Sequence, residues 1–415
     1  MGTSCSIVMM KNLNYYNKIA VAEFNLVDRG RRIQVDESYK LALVVFRYKN
    51  SVVGKLLLKV NNGIVEIPDI EEITSSFFKA LWEQFSKRDT VDYSPFVSVV
   101  VCTHNRTEEL VNCLGSLKNL RYSNTEIIIV DNAPVNEKTK KLVSSYKDFI
   151  YIDEPRKGLD IARNRGIKEA SGEIIAFTDD DAKVDSCWLD AIVKHFRSPL
   201  VAVVTGITMP LELETKAQII FEQTNGFNRG FLKKEFTMND TSPFAAGRTG
   251  AGVNMAVRKE YLNTIGLFDE ALDGGTHTFS GGDQEFLCRT IINGYKIIYT
   301  PEALVWHKHR RDMNNLRKTI YGYGVGVFAW WTKIIFKKKE IASISSLIIW
   351  FFSHYFLNLF RSLLRRPGVL PFRLSAVEFL GTFRGPFAYF KAKKNLKIIS
   401  YGKDNGSTVK FVSNE

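Results

Sequence analysis

Short apolar runs open the chain and predict strands rather than long helices. Leu41–Arg47 and Lys55–Val60 are β-type runs, and an amphipathic stretch follows near Ile73–Phe85. This pattern predicts a small α+β domain over residues 1–94. Since no cluster of acids, bases or metal ligands is apparent in it, we expect an accessory domain.

From Pro95 onward, apolar strands alternate with segments of helical spacing. The predicted strands are Val97–Cys102, Glu126–Val130, Ile174–Phe177, Val201–Val204 and Ile297–Val305, and the predicted helices are Thr107–Leu120, a stretch ending at Tyr146, Asp160–Ala170 and Leu189–Phe196. This alternation predicts βαβ units, and therefore an α/β domain of Rossmann-like type with a mainly parallel central sheet over residues 95–315. Ligands of such sheets bind beyond the carboxyl ends of the strands.

Residues 316–415 change in character again and predict a helical region. Ile341–Phe360 is a 20-residue window without a formal charge, flanked by basic residues on both sides. Its length would just cross a bilayer, but its serines, His354 and Asn358 weaken a span. We therefore expect an in-plane or re-entrant helix with Trp350 and Tyr355 at the level of the lipid headgroups. A buried core helix is the alternative.

The net charge of +13 lies almost entirely in this last region. Residues 301–415 hold 20 Lys and Arg against 6 Asp and Glu, so the rest of the chain is close to neutral. A cationic tail favours an anionic partner. Its aromatic residues cluster with aliphatic ones instead of alternating with Arg and Lys, which favours a membrane surface over nucleic acid. We expect membrane attachment to be separable from the rest of the molecule by a cut near Arg317.

The five cysteines are scattered and form no C-x-x-C pair. This excludes a disulfide scaffold and a zinc ribbon and favours a reducing cytoplasm. With the cationic tail, it predicts a location at the inner face of the membrane, peripheral or anchored.

Acidic residues follow the predicted strands at the edge where ligands bind. Asp179, Asp180 and Asp181 directly follow an apolar strand, where three carboxylates repel one another unless a cation binds. Mg²⁺ or Mn²⁺ would suit them, together with phosphate oxygens. A solvated acidic turn that caps the next helix is the alternative. Arg163 and Arg165 lie in a helix whose first turn could also bind phosphate.

In order, the motifs THNR, VDN, GLDIARNRG, FTDDD, GGDQEF and WHKH resemble those of family 2 glycosyltransferases of the GT-A fold. The resemblance covers about Pro95 to Arg311. It implies a nucleotide-sugar donor and a divalent metal at a D-x-D motif, with Asp181 and His307 as metal ligands. The residues that it implies for nucleotide-sugar binding are Thr103, Asn105, Arg106, Asp131, Arg163, Asn164, Asp179 and Asp180.

The same resemblance assigns Asp283 as catalytic base. The family often has Glu-Asp where this chain has Gly282-Asp283, which leaves the neighbouring acid without a counterpart. A helix N-cap is the other interpretation of Asp283. Glycines around it, including Gly274 and Gly281, favour a mobile lid. The Q-x-x-R-W motif of processive members is absent, so we expect transfer of a single sugar.

We therefore expect an inverting, metal-dependent glycosyltransferase that acts on a glycan or glycolipid acceptor in cell-envelope or extracellular glycan assembly. Two alternatives stay open. A sugar nucleotidyltransferase should have a Gly-rich loop after the first strand, and Thr103–Arg106 has none. A non-catalytic membrane-associated scaffold would bind a nucleotide sugar without turning it over.

Overall fold

The N-terminal part of the chain forms a five-stranded sheet covered by one helix. The computed structural model describes residues 18–28, 30–85, 93–224, 226–338, 345, 348–366 and 368–404. The first elements are β1 (Ala20–Asn25), β2 (Arg32–Gln34), β3 (Leu41–Tyr48), β4 (Ser51–Asn61), β5 (Ile64–Glu66) and α1 (Ile70–Phe85). The strands are ordered β1-β3-β4-β5-β2.

Strand β3 is buried on both faces, which explains why it is apolar at nearly every position. Successive side chains of a strand point to opposite faces. Val44 and Phe46 accordingly belong to a core with α1. Leu43 and Val45 pack instead against residues beyond position 200. The N-terminal sheet is therefore packed firmly against the following α/β domain.

A nine-stranded sheet forms the centre of the molecule. Its strands and the helices between them are β6 (Val97–Thr103), α2 (Thr107–Lys118), β7 (Thr125–Asn132), α3 (Lys138–Ser144), β8 (Phe149–Glu154), α4 (Leu159–Glu169), β9 (Ile174–Asp179), β10 (Ala182–Val184), α5 (Trp188–Val193), β11 (Val201–Pro210), α6 (Lys216–Thr224), β12 (Lys234–Phe236), β13 (Met255–Arg258), α7 (Leu262–Ile265), α8 (Gly282–Ile292) and β14 (Lys296–His307). The order is β10-β14-β11-β13-β9-β6-β7-β8, with β12 beside β14.

The sheet is α/β and GT-A-like but mixed, so the predicted mainly parallel sheet is only partly right. Strands β8, β7, β6 and β9 are parallel neighbours, as are β11 and β14. Strand β13 runs antiparallel to both β9 and β11. Between β11 and the four-residue β13 the chain passes through α6, the antiparallel β12 and short 3-10 turns, so β13 does not follow β11 in a simple βαβ unit.

In the described part of the C-terminal region, the helices α9 (Met313–Lys338), α10 (Leu357–Leu363) and α11 (Phe372–Asp404) pack on the central domain, with a π-helical turn (Phe351–Phe356) before α10. Trp330 and Trp331 of α9 are fully buried in the same core as Phe286 of α8. The structure does not meet the condition for cutting the chain near Arg317, namely that the catalytic core tolerates the cut, because α9 is part of the core of the α/β domain.

The predicted headgroup position is wrong for Tyr355, and for the partly exposed Trp350 it stays a prediction. Residues 341–344, 346 and 347 of the predicted window lie outside the described residues. In the rest, Tyr355 is buried and Trp350 stacks on Trp331 with ring centroids 6.4 Å apart. Ile349 and Phe352 face outward instead. Among the helices described, none is both long enough and apolar enough for a membrane span.

Candidate active site at the strand ends

Parallel pairing aligns the predicted site residues at one edge of the sheet. Thr103 at the end of β6 is paired with Asp131 of β7, and Cys102 is paired with Asp179 of β9. His307, at the end of β14, is paired with Ala182, which directly follows the acidic triplet. Strand-end residues far apart in the chain therefore meet in one place.

Two of the three adjacent aspartates are bound by the first strand end. Arg106 donates to Asp180 at 2.7 Å and to Asp181 at 2.6 Å. Thr103 donates to the second oxygen of Asp180 at 2.7 Å. Each oxygen of Asp180 thus already accepts a hydrogen bond from the protein, and this carboxylate fixes Arg106 and Thr103 in place.

The three carboxylates differ in pKa because their partners differ. Burial raises the pKa of Asp180 to about 7, against the attraction of Arg106. Burial also raises the pKa of Asp179. For Asp181 burial acts in the same direction, but His307 and Arg106 outweigh it and hold the pKa below its usual range. Asp181 is therefore the most strongly ionised of the three.

Asp179, Asp181 and His307 form a set of side chains suited to a divalent cation. One ligand atom from each lies within 4.8 Å of the others. Asp181 Oδ1 is buried and lies 3.2 Å from His307 Nε2. Carboxylate oxygens together with one imidazole nitrogen suit Mn²⁺. Mg²⁺ prefers oxygen ligands, so the two carboxylates also suit Mg²⁺. A buried carboxylate oxygen beside an imidazole nitrogen is what a site for such a cation would show.

Asp283 lies in the first turn of α8, facing a cavity of about 670 Å³ that Asp179, His307 and Arg163 also line. Its Oδ2 accepts from the backbone N–H of Gly252 at 2.9 Å, and its Oδ1 from the N–H of Gln284 at 2.7 Å. A Cβ at position 252 would lie 2.7 Å from Arg163 and 3.3 Å from Asp283. Glycine at 252 thus lets the backbone approach the carboxylate closely enough to orient it.

Asp160 of α4 occupies the space beside Gly282. A Cβ at Gly282 would lie 1.9 Å from Asp160 Oδ2, an oxygen that is buried and has no hydrogen-bond partner. The acid that the family often has at this position is absent from the chain, but a carboxylate from another helix fills the same place. Burial raises the pKa of Asp160 well above its usual range. The sequence pattern alone did not single out Asp160 for this role.

Two residues predicted to bind the nucleotide sugar are engaged within the protein. Arg163 donates to Asp160 and Asp273, at 2.9 Å each. Asn164 donates to the carbonyl of Phe268 and accepts from its N–H, both at 3.0 Å. Arg163 still borders the cavity. The side-chain amide of Asn164 instead forms the hydrogen bonds that fix the loop before α8.

Asp131 and Asn105 lie at the first two strand ends, outside that cavity lining. Asp131 is buried; its Oδ2 accepts from Tyr151 at 3.1 Å and its Oδ1 has no partner. Burial raises the pKa of Asp131. Asn105 is exposed and accepts from the N–H of Val135 at 3.2 Å. Asp131 therefore has one oxygen free to accept a hydrogen bond from a ligand.

The loop before α8, predicted as a mobile lid, is attached to its surroundings at several points. Leu159 donates its N–H to the carbonyl of Gly274 at 2.8 Å, and Ser280 donates to the carbonyl of Gly322 on α9 at 2.9 Å. Phe279, at the tip of the loop, is half exposed and lines the cavity. That this loop moves as a lid stays a prediction.

Several residues of the cavity gave no signal in the sequence. They are Arg229, Arg248, Lys318, Tyr323 and Trp330. Lys318, Tyr323 and Trp330 belong to α9, which the charge pattern had separated from the catalytic domain. Once α9 is known to be buried, its aromatic residues at positions 323 and 330 indicate a face that borders the site.

Fold and site together define a GT-A-like α/β enzyme, with carboxylates and a histidine gathered at strand ends around a deep cavity. Residues 98–266 match the profile of glycosyl transferase family 2, which together with its glycosyltransferase relatives supports a glycosyltransferase enzyme. It is similar to Glycosyltransferase AglE of Haloferax volcanii, with 26% identity over 263 residues, 62% of this chain and 80% of the relative.

A second relative is the pre-mycofactocin glycosyltransferase of Mycobacterium tuberculosis, 26% identical over 230 residues, 54% of this chain. The matched part spans only 46% of that relative's length. Among solved structures, a mannosyltransferase from Pyrobaculum calidifontis in complex with GDP-Man and Mn²⁺ aligns with 82% of this chain and 87% of its own, at a TM-score of 0.45 and 17% identity.

Proposed function

We propose that the protein transfers one sugar from a nucleotide-sugar donor to a hydroxyl of a glycan or glycolipid acceptor, with inversion at the anomeric carbon and with bound Mg²⁺ or Mn²⁺. One observation supports this most directly. The candidate cation site, formed by Asp179, Asp181 and His307, borders the same cavity as Asp283. The site for the leaving group and the catalytic base would therefore line one substrate-binding cavity.

Asp179, Asp181 and His307 are the residues that would hold the cation. When bound, a divalent cation neutralises the charge that develops on the departing nucleoside diphosphate. Arg106 supports this role, because its hydrogen bond to Asp181 at 2.6 Å orients the carboxylate. Arg310 lies 3.3 Å from the same carboxylate and borders the cavity, where a guanidinium would bind phosphate oxygens.

The nucleotide would bind at the ends of β6 and β7. Asp131 offers one buried oxygen without a partner, which can accept from a ribose hydroxyl or a base N–H. Thr103, Asn105 and Arg106 form the neighbouring strand end and loop. In this arrangement Asp180 and Asn164 act by fixing these groups and the loop before α8, while Arg163 and Asp179 face the donor.

Asp283 would remove the proton from the acceptor hydroxyl as that oxygen attacks the anomeric carbon. Backbone N–H groups of Gly252 and Gln284 orient the carboxylate without neutralising it. A single base and one in-line displacement lead to inversion, and no second carboxylate nucleophile is needed.

The C-terminal helices would attach the enzyme to the cytoplasmic face of an anionic membrane. Exposed apolar residues follow helical spacing along two segments: Ile349, Phe352, Phe356, Phe360 and Leu363 from the helical residues 348–350 through the π-turn to α10, and Leu380, Phe383, Phe387 and Phe390 on α11. Contiguous exposed apolar residues of this kind mark an interaction surface. Exposed Arg361, Arg365, Arg366, Arg373 and Arg384 lie among them, which favours anionic lipid as the partner. A glycolipid acceptor would be presented at this surface.

The proposal is tested with two carboxylate variants and a panel of nucleotide sugars. Asp181→Asn should abolish Mn²⁺-dependent stabilisation by the donor, measured by thermal unfolding. Asp283→Asn should bind the donor like wild type but lower its hydrolysis, with water as the acceptor, by about a hundredfold or more. Unchanged hydrolysis in Asp283→Asn would contradict the base. Donor binding without any turnover in the wild type would favour a scaffold instead.

A further inference from the structure

A row of polar side chains connects the N-terminal sheet with the candidate metal ligands. Lys55 of β4 lies 2.5 Å from Glu222 of α6. The other carboxylate oxygen of Glu222 lies 3.2 Å from His309 Nε2. The Nδ1 atoms of His309 and His307 are 3.0 Å apart, and His307 Nε2 lies 3.2 Å from Asp181 Oδ1.

This row is buried at Glu222, His309 and Asp181 and partly buried at Lys55 and His307. The side chains of Glu222 and His309 are 4% and 2% exposed, and that of Lys55 is 15% exposed. Phe221 packs against the His309 ring with centroids 4.6 Å apart, and Phe227 contacts both histidine rings. Because buried polar groups must find partners within the protein, each link of the row is held in one arrangement.

The proton positions follow from the partners. Ionised Glu222 only accepts, so it takes the Nε2 proton of His309. A neutral imidazole has one N–H, which leaves His309 Nδ1 as an acceptor for the Nδ1 proton of His307. With a cation bound, this arrangement would leave the Nε2 lone pair of His307 directed toward the cation beside Asp181, the state in which imidazole binds a metal. Lys55 compensates the charge of Glu222 and so keeps that carboxylate ionised in a buried place.

We infer that Lys55, Glu222 and His309 are positioning residues that fix His307 with its Nε2 lone pair toward the cation. The N-terminal domain thereby completes the metal site of the catalytic domain through Lys55. This inference rests on the proposed role of Asp181 and His307 as metal ligands. Groups behind a ligating histidine typically change metal affinity about ten- to a hundredfold.

A second contact between the same domains provides a matched control. Arg47 of β3 lies 2.7 Å from Asp185, and both side chains are about as buried as Lys55. Arg47→Met removes an ion pair between the N-terminal sheet and the catalytic domain without touching the row. Any general effect of loosening the two domains should appear in Arg47→Met as well.

The test measures Mn²⁺ binding to the full-length protein in the absence of donor. Glu222→Leu and Lys55→Met should each weaken Mn²⁺ affinity about tenfold or more, measured by the paramagnetic resonance of free Mn²⁺. The electron spin echo modulation from a coordinated histidine nitrogen should be present in wild type and Arg47→Met, and lost in Glu222→Leu. Thermal unfolding in EDTA reports whether each variant is folded.

The outcomes separate this inference from the proposed function. Wild-type affinity and histidine modulation in Glu222→Leu and Lys55→Met, together with loss of binding in Asp181→Asn, would overturn the inference and leave the metal site standing. Unchanged binding in Asp181→Asn would overturn the metal site itself. If Glu222→Leu does not fold, Lys55→Met decides, since it leaves both histidines and Glu222 in place. Equal weakening in Arg47→Met would also overturn the inference.

Discussion

Asp160 and Gly282 show how one residue choice depends on another far away in the chain. Asp160 Oδ2 lies where the side chain of residue 282 would begin, and Arg163 balances Asp160 together with Asp273. The departure of this chain from the family pattern at position 282 is therefore compensated in space. A carboxylate is kept beside Asp283, but it comes from α4 instead of α8.

We expect Gly282→Asp to destabilise the protein by about 1 to 3 kcal/mol, since its side chain overlaps that of Asp160. The double exchange Asp160→Ala with Gly282→Asp removes the overlap and keeps one carboxylate, so it should recover part of this loss. Urea unfolding of both variants and of Asp160→Ala measures the coupling.

Gly115→Ala is the control, because it lies in a helix with no atom within 4 Å of the added Cβ, and it should be neutral or stabilising. If the changes in the free energy of unfolding caused by Gly282→Asp and Asp160→Ala simply add up in the double variant, the two side chains do not compete for the same space.

Element α9 joins the C-terminal region to α8 through a buried cluster of charges. Lys333 lies 3.0 Å from Asp269 and 2.7 Å from Glu285 of α8. Lys393 and Tyr389 of α11 also contact Asp269, at 3.0 and 3.1 Å. Asp269 therefore connects α9 and α11 to the loop before α8, and thus to the element that presents Asp283.

The pKa of Asp269 gives this connection a pH dependence. Burial would raise it, but Lys333 and Lys393 lower it from 3.8 to about 2. A carboxyl with a lowered pKa in the folded state stabilises the protein above its unfolded pKa, near 3.8. That contribution is lost as the pH falls through about 2.

We therefore expect Asp269→Asn to lower the free energy of unfolding by about 2 kcal/mol at neutral pH and to flatten its decline between pH 4 and 2. Denaturant unfolding across this range measures both. Exposed Asp148→Asn should leave the pH profile unchanged. If the free energy of unfolding of Asp269→Asn still changes with pH in parallel with wild type, the charge cluster around Asp269 does not contribute to stability.

At the scale of the whole molecule, the cationic region is both part of the core and an outer surface. Trp330 and Trp331 of α9 lie in the central core, whereas Phe387 of α11 is 74% exposed. Membrane attachment therefore cannot be tested by deleting the region, because a chain that ends near Arg317 would lose part of its core. The test of membrane attachment therefore has to substitute exposed residues of this region and keep its buried ones.

We expect the full-length protein to pellet with anionic vesicles at low salt, and Phe383→Ser with Phe387→Ser to reduce this binding at least tenfold. Losing two exposed phenylalanines removes about 3 kcal/mol or more of apolar insertion. Their exposure means that unfolding temperature and donor hydrolysis should be kept.

Val135→Ser, at a residue 73% exposed and far from the tail in sequence, serves as control. A wild-type protein indifferent to anionic vesicles would exclude the membrane surface as partner, and the glycolipid acceptor would lose its support.

The sequence by itself determined the strand-end chemistry. Apolar β-runs followed by Thr103, Asp131 and Asp179 predicted that these residues meet, since neighbouring parallel strands bring their carboxyl ends to one edge, and the register agrees. The helices of the βαβ units were equally readable, because their signal is local periodicity.

Only the tertiary structure decided the rest. Antiparallel β13, the burial of α9, the carboxylate of Asp160 beside Gly282 and the contact of Lys55 with Glu222 all join segments distant in sequence. Such pairings depend on which surfaces are buried together, and no periodicity within a short window reports that. The fold class and the main acids could therefore be predicted, whereas the partners that orient them could not.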